Sequence, residues 1–99
     1  MTQVRWTEQA VGDLRSIREF IERDSPRYGR MVAERIFDST ERLESFPRSG
    51  RMVPEVGRDD LREIIVGDYR IVYRLEPDAC VLLTVFRSSR LLPAGLGEL

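Results

Sequence analysis

The chain has 99 residues, 41% of them apolar and 33% charged, a globular mixture that excludes a disordered polypeptide. Its sixteen basic residues are all arginine, and seventeen acids bring the net charge to −1. This balance excludes the broad positive field by which most nucleic-acid binders hold phosphate, and leaves only a few placed guanidiniums for such contact.

Thr2 to Trp6 alternates polar and apolar residues and reads as a short strand. Thr7 is a fitting N-cap with Glu8 in the first turn. Ala10, Leu14, Ile17 and Ile21 then recur at spacings of three and four, which predicts an amphipathic helix from about Glu8 to Arg23. Asp24-Ser25-Pro26 is a break and restart, with Ser25 as cap and Pro26 at the first helical position. Val32, Ile36 and Leu43 give a second apolar stripe, which Pro47 should end near Phe46. The two helices should form an αα-hairpin.

Residues from Pro47 to about Asp60 read as irregular, and three strands follow. Leu61 to Val66 runs to Gly67-Asp68, a two-residue hairpin signal. Tyr69 to Leu75 runs to Glu76-Pro77-Asp78-Ala79, a second turn signature. Cys80 to Arg87 is the most apolar strand and suits the sheet centre. The tail from Leu91, with Pro93, Gly95 and Gly97, is expected to fray or to pack as a short extension. The order β-α-α-β-β-β predicts one α+β domain over residues 1–99, with the helical hairpin on one face of a small antiparallel sheet.

Strand parity assigns the two faces. Ile64, Val66, Tyr69, Ile71, Tyr73, Leu75, Cys80, Leu82, Thr84 and Phe86 should lie under the helices. Glu63, Arg70, Arg74 and Arg87 should share the open face with Ile65, Val72, Val81, Leu83 and Val85. A three-residue first turn would instead put Arg62 where Glu63 stands. An Arg–Glu–Arg lattice can be a site for a phosphodiester, with Glu as base, or an ion-pair network that solubilises a sheet face. The apolar residues among these charges form a patch that a soluble monomer tends to avoid, which points to a partner lying there.

Single residues carry less. Trp6 reads as a core or edge anchor, and Tyr69 and Tyr73 as core. Cys80 excludes an intrachain disulfide and suits a reducing compartment as a small buried filler. No stretch nears the ~20 apolar residues of a membrane span, and the start of the chain shows no leader pattern, so a soluble cytoplasmic protein is expected. With no histidine and one cysteine, neither metal nor cofactor is expected.

The stretches Gly50-Arg51-Met52-Val53-Pro54-Glu55, Leu61-Arg62-Glu63-Ile64, Tyr69-Arg70-Ile71-Val72-Tyr73-Arg74 and Val85-Phe86-Arg87-Ser88-Ser89-Arg90 resemble, in order and spacing, the RelE/ParE toxin superfamily. The resemblance covers about residues 3 to 92. It implies the toxin of a bacterial toxin–antitoxin pair, a plasmid-stabilisation and growth-arrest device neutralised by a cognate antitoxin. RelE-like members are implied to cut mRNA on the ribosome, and ParE-like members to inhibit DNA gyrase without cutting RNA. DNA would be met only indirectly, through the antitoxin.

Carried over residue by residue, Arg70 matches a phosphate-contacting arginine of the cutting branch. Glu55 falls near the base of one cutting subgroup, and Arg87 stands where many members have histidine. A nuclease would draw on Arg70, Arg87, Glu63 and Glu55, with Arg62, Arg74 and Arg90 toward target or phosphate. The antitoxin would cover Ile65, Val72, Leu83 and Val85. Cleavage through the 2′-hydroxyl needs a base and an acid, and arginine stays protonated. With no histidine and no lysine, the reading leans to a gyrase inhibitor, with a ribosome-dependent endoribonuclease and a non-toxic binding module as alternatives.

Overall fold

The computed structural model describes residues 1–98. Strand β1 (Gln3–Trp6) leads into helix α1 (Glu8–Glu22), and helix α2 (Pro26–Ser39) follows. Strands β2 (Arg51–Met52), β3 (Leu61–Val66), β4 (Tyr69–Leu75) and β5 (Ala79–Arg87) complete a five-stranded sheet of order β1-β5-β4-β3-β2. The sheet is mixed, because β1 joins β5 in parallel while every other pairing is antiparallel. The helical hairpin carries the chain from β1 across to β2 at the far edge, and β3, β4 and β5 then return by antiparallel steps to lie beside β1.

Both helix starts follow the sequence. The Thr7 side chain accepts from the Ala10 amide and that of Ser25 from the Tyr28 amide, with Pro26 in the first turn. The second helix ends earlier than Pro47 predicts. The Ser39 and Thr40 hydroxyls donate to the Ile36 and Phe37 carbonyls, which offers the backbone a competing partner. The chain tightens into a 3₁₀ turn at Glu41–Glu44, which keeps Leu43 fully buried.

The first hairpin has the expected two-residue turn, with Val66 opposite Tyr69 and Glu63 opposite Val72. Gly67 takes φ +55°, which a residue with a side chain would adopt only with strain. The second hairpin departs from simple parity. Arg74 pairs Val81 as expected, but a β-bulge lies between Val72 and Tyr73, so Tyr73 pairs Leu82 while Val72 pairs Thr84. Beyond it every residue of β5 has exchanged faces. Val85 therefore packs in the helix-side core with Ile64, Ile71, Tyr73, Cys80 and Leu82. Phe86 crosses to the other face, where it joins Val53, Leu61, Val72, Leu83 and Leu96.

That second cluster closes the face expected to be open. The 53–56 segment and the tail residues Leu92 and Leu96 cover it, so the tail packs and does not simply fray. Helix α1 braces the bulge. Asp13 accepts from the Thr84 hydroxyl at 2.6 Å and from the Val85 amide at 3.0 Å, partners that the disrupted ladder leaves available.

Asp13→Ala removes the one oxygen that accepts both bonds, and about 1–3 kcal/mol of stability should be lost with it. A double-mutant cycle with Thr84→Val, read by urea denaturation, checks the coupling. Additive effects would mean that Asp13 does not brace the bulge.

Candidate functional site

The charged centre of the molecule is built on Glu63 and Arg70. Their strands place both on the face away from the helices, with Glu63 opposite Val72 and Arg70 opposite Ile65 and Phe86. The Glu63 side chain has no exposure and that of Arg70 only 9%. The Arg70 Nε donates to Glu63 Oε1 at 2.7 Å, while its Nη1 and Nη2 form a two-pronged contact with Glu55 at 2.7 and 2.8 Å. Its guanidinium lies 5.2 Å from the centroid of the Phe86 ring, a cation–π stack that the bulge makes possible. The other Glu63 oxygen accepts from Arg51 Nε at 2.8 Å.

Arg51 comes from β2, the two-residue strand that sequence reading left as loop. Its pairing sets Arg51 opposite Glu63. Gly50, just before it, lets this edge sit close: a Cβ there would lie 2.6 Å from the Tyr73 hydroxyl and 2.7 Å from the Glu63 carbonyl. The Tyr73 hydroxyl accepts from the Gly50 amide and donates to the Pro47 carbonyl, so Tyr73 is core and clamp together. No buried side-chain nitrogen or oxygen lacks a partner among the described residues.

The other sequence candidates are elsewhere. Arg87 pairs Tyr69 across the strands and lies over its ring at 6.0 Å on the helix side, because the bulge has reversed its face. The expected grouping with Arg70 is therefore corrected. Arg74 sits four residues along β4, about 13 Å away at strand rise, and donates to Glu76, which also holds Arg5. Arg62 bonds the Gly50 and Asp59 carbonyls and the Asp59 carboxylate, and so ties down the 48–59 loop. Arg90 is exposed beyond β5, its amide donating to the Arg87 carbonyl. Of the four residues expected to await an antitoxin on an open face, Val72, Leu83 and Val85 are buried and Ile65 alone is exposed, at 46%. The bulge turned Val85 inward, and the 53–56 segment and tail covered Val72 and Leu83.

Electrostatics fix the protonation states. The Arg70 hydrogen bonds hold the Glu55 carboxyl down at about 2, against an ordinary 4.5. The same pairing with Glu55 raises Arg70 further above its usual range, against the desolvation that burial imposes. A carboxylate so acidic is a weak base, and a guanidinium with three N–H groups engaged presents little free charge. Glu55, Glu63, Arg70 and Arg51 balance in charge, and the arrangement suits structure better than proton transfer.

Because Glu55 is depressed in the folded state, its contribution is complete above about pH 4.5 and is lost as pH falls toward 2. Glu55→Gln should therefore lower stability at neutral pH and flatten its decline across that acid window. Urea midpoints measured from pH 7 to pH 2.5 check this. A wild-type and variant that decline in parallel would show that the Glu55–Arg70 pair has no weight in the folded state.

Comparison with known proteins gives the family and the fold's relatives. The family model described as the ParE toxin of the type II toxin–antitoxin system, parDE, matches residues 4–92. A chain named as a toxin, Y4kP of Sinorhizobium fredii, is 34% identical over 97 residues, covering 95% of this chain and 96% of its own. Toxin RelE2 of Caulobacter vibrioides is 30% identical over 92 residues, covering 92% of this chain and all of its own. The structure of a chromosomal ParDE toxin–antitoxin system from P. aeruginosa shares the fold, with a TM-score of 0.74 at 18% identity over 88% of this chain and 96% of that one. The chain belongs to the ParE toxin family of type II toxin–antitoxin systems.

Proposed function

We propose that this toxin arrests growth by binding a protein target, DNA gyrase, and not by cutting RNA. The observation that carries the reading is the state of Arg70. Its fork is occupied by Glu55 and Glu63, and Arg87, the other cationic candidate, lies on the opposite side of the sheet. A phosphodiester would have to displace Glu55 to reach Arg70. Once there it would meet no group poised to exchange protons near neutrality. Membership of the ParE family supports the same branch. A cognate antitoxin neutralises the toxin and supplies whatever contact with DNA the pair makes. No helix among the described residues is long and apolar enough to cross a membrane, which accords with action in the cytoplasm.

On this reading the Arg70 network is scaffold. Arg70→Ala strands the buried Glu63 carboxylate beside Arg51 alone and should cost about 3–5 kcal/mol, so it tests folding more than activity. Glu55→Gln is the sharper variant, since it keeps shape and removes the only exposed carboxylate of the group. It should still arrest growth when expressed without antitoxin.

The decisive readout is a map of mRNA 5′ ends, taken minutes after a tight pulse of expression, alongside a DNA-damage reporter. Intact messages with an induced reporter are expected, for wild type and for Glu55→Gln. New ends inside translated frames that vanish with Glu55→Gln would instead establish a ribosome-dependent nuclease.

A further inference from the structure

Helix α2 buries Gly29, Val32 and Ile36, and Gly29 lets it approach the α1 backbone so closely that a Cβ there would lie 2.9 Å from the Arg18 carbonyl. The face directly opposite carries Arg27, Met31, Glu34 and Asp38, a helical stripe at spacings of four, three and four, all exposed. Arg30 and Arg35 flank the stripe on either side, each about 70° round the helix from its centre. Met31, at the middle, is 44% exposed.

The stripe is sorted by charge, with its arginine at the start of the helix and its acids in the second half. Among the described residues none of Arg27, Arg30, Glu34 and Asp38 has an ion-pair partner. The sorting also opposes the helix dipole. The first turn of α2 holds no acid and its last turn no base, while Arg27 and Asp38 stand at those two ends. Helix α1 shows the opposite habit, with Glu8 in its first turn. In a lone chain the charges of α2 are therefore placed at a cost that nothing within the fold offsets.

We propose that this face of α2 is a self-association surface, on which a second copy of the chain packs antiparallel through the same stripe about a two-fold axis. The stripe is self-complementary in that orientation. With the axis passing midway between residues 32 and 33, Arg27 comes opposite Asp38 of the second copy and Arg30 beside its Glu34. The two Met31 side chains meet near the axis, and each ion pair occurs twice by symmetry. The macrodipoles then run in opposite directions, so each misplaced charge faces the helix end that suits it. The surface lies opposite the residues that α2 buries, so the proposal does not depend on which target the toxin strikes.

The dimer should be weak and reversible. Helix α2 has 14 residues, about 21 Å at helical rise, and one pair of such helices stays below the roughly 1,200 Å² at which standard interfaces begin. Dissociation constants on the order of 10–100 µM are expected.

Sedimentation velocity of the full chain, freed of antitoxin, tests this over rising concentration. A monomer–dimer equilibrium that weakens as salt is added is expected. Arg27→Asp and Asp38→Arg should each weaken association about tenfold or more. Both changes suit the dipole of α2, so urea midpoints should be no lower than that of wild type, and loss of the dimer cannot be laid to unfolding. Two further samples should regain it: the double variant carrying both changes, and an equal mixture of the two single variants, in which acid again meets base at both ends. A chain that stays monomeric at millimolar concentration overturns the proposal. So does a dimer that is indifferent to both single changes, which would put self-association on another surface.

Discussion

A carboxylate with no solvent exposure cannot stand by itself in a sheet, because the cost of stripping its water must be met by charge and hydrogen bonds. Glu63 is that group, and much of the molecule is arranged around it. Arg70 reaches it from the neighbouring strand and Arg51 from the chain's shortest strand. Glu55 then completes the fork of Arg70, so the 53–56 segment is drawn across the sheet, and Val53 is carried into full burial with it. The charge network and the second apolar cluster are thus one construction, in which polar pairing positions the cover and apolar burial stabilises it.

The bulge in β5 is the second constraint. One extra residue exchanges Phe86 and Val85 between faces, and both exchanges matter. Phe86 becomes the aromatic plate beneath Arg70, while Val85 fills the core under the helices. The same step carries Arg87 away from Arg70 and out to a groove beside α1. Asp13 stands at the pivot, so one helix side chain helps to decide which guanidinium serves the scaffold and which remains free.

What could be read from the sequence was what depends on local pattern. Apolar spacing gave both helices, the Thr7 and Ser25 caps gave their starts, and Gly67-Asp68 gave the register of the first hairpin, hence Glu63 beside Arg70. What could not be read depends on long-range packing. Nothing in Cys80–Arg87 announces a bulge, because an apolar run looks the same in either register. Strand β2 has two residues, too few to show a period, so nothing local marked Arg51 as the group that closes the charge network. The cover over Val72 and Leu83 comes from 53–56 and from the tail, segments whose turn-rich composition reads as loop. Glu55 was reached only through the family resemblance, since no local rule ties a turn carboxylate to an arginine fifteen residues away.

Family membership and chemistry meet at this network. Arg70 stands on the strand next to the sheet centre, but two carboxylates face two guanidiniums at close range, and the set presents almost no net field to a phosphate. A ribonuclease needs that field to be unspent before substrate arrives, because stabilising a pentacovalent phosphate depends on positive charge held ready and not already neutralised. In this chain Arg87, the other arginine of the strands that could have joined Arg70, stands on the other side of the bulge, over an apolar groove beside α1. Charge placed over apolar surface favours a protein partner, where guanidiniums pair with carboxylates while side chains bury beneath them. The bulge thus separates Arg70, neutralised within the scaffold, from Arg87, left over apolar surface, and that separation is the physical ground of the proposal that this toxin acts on a protein.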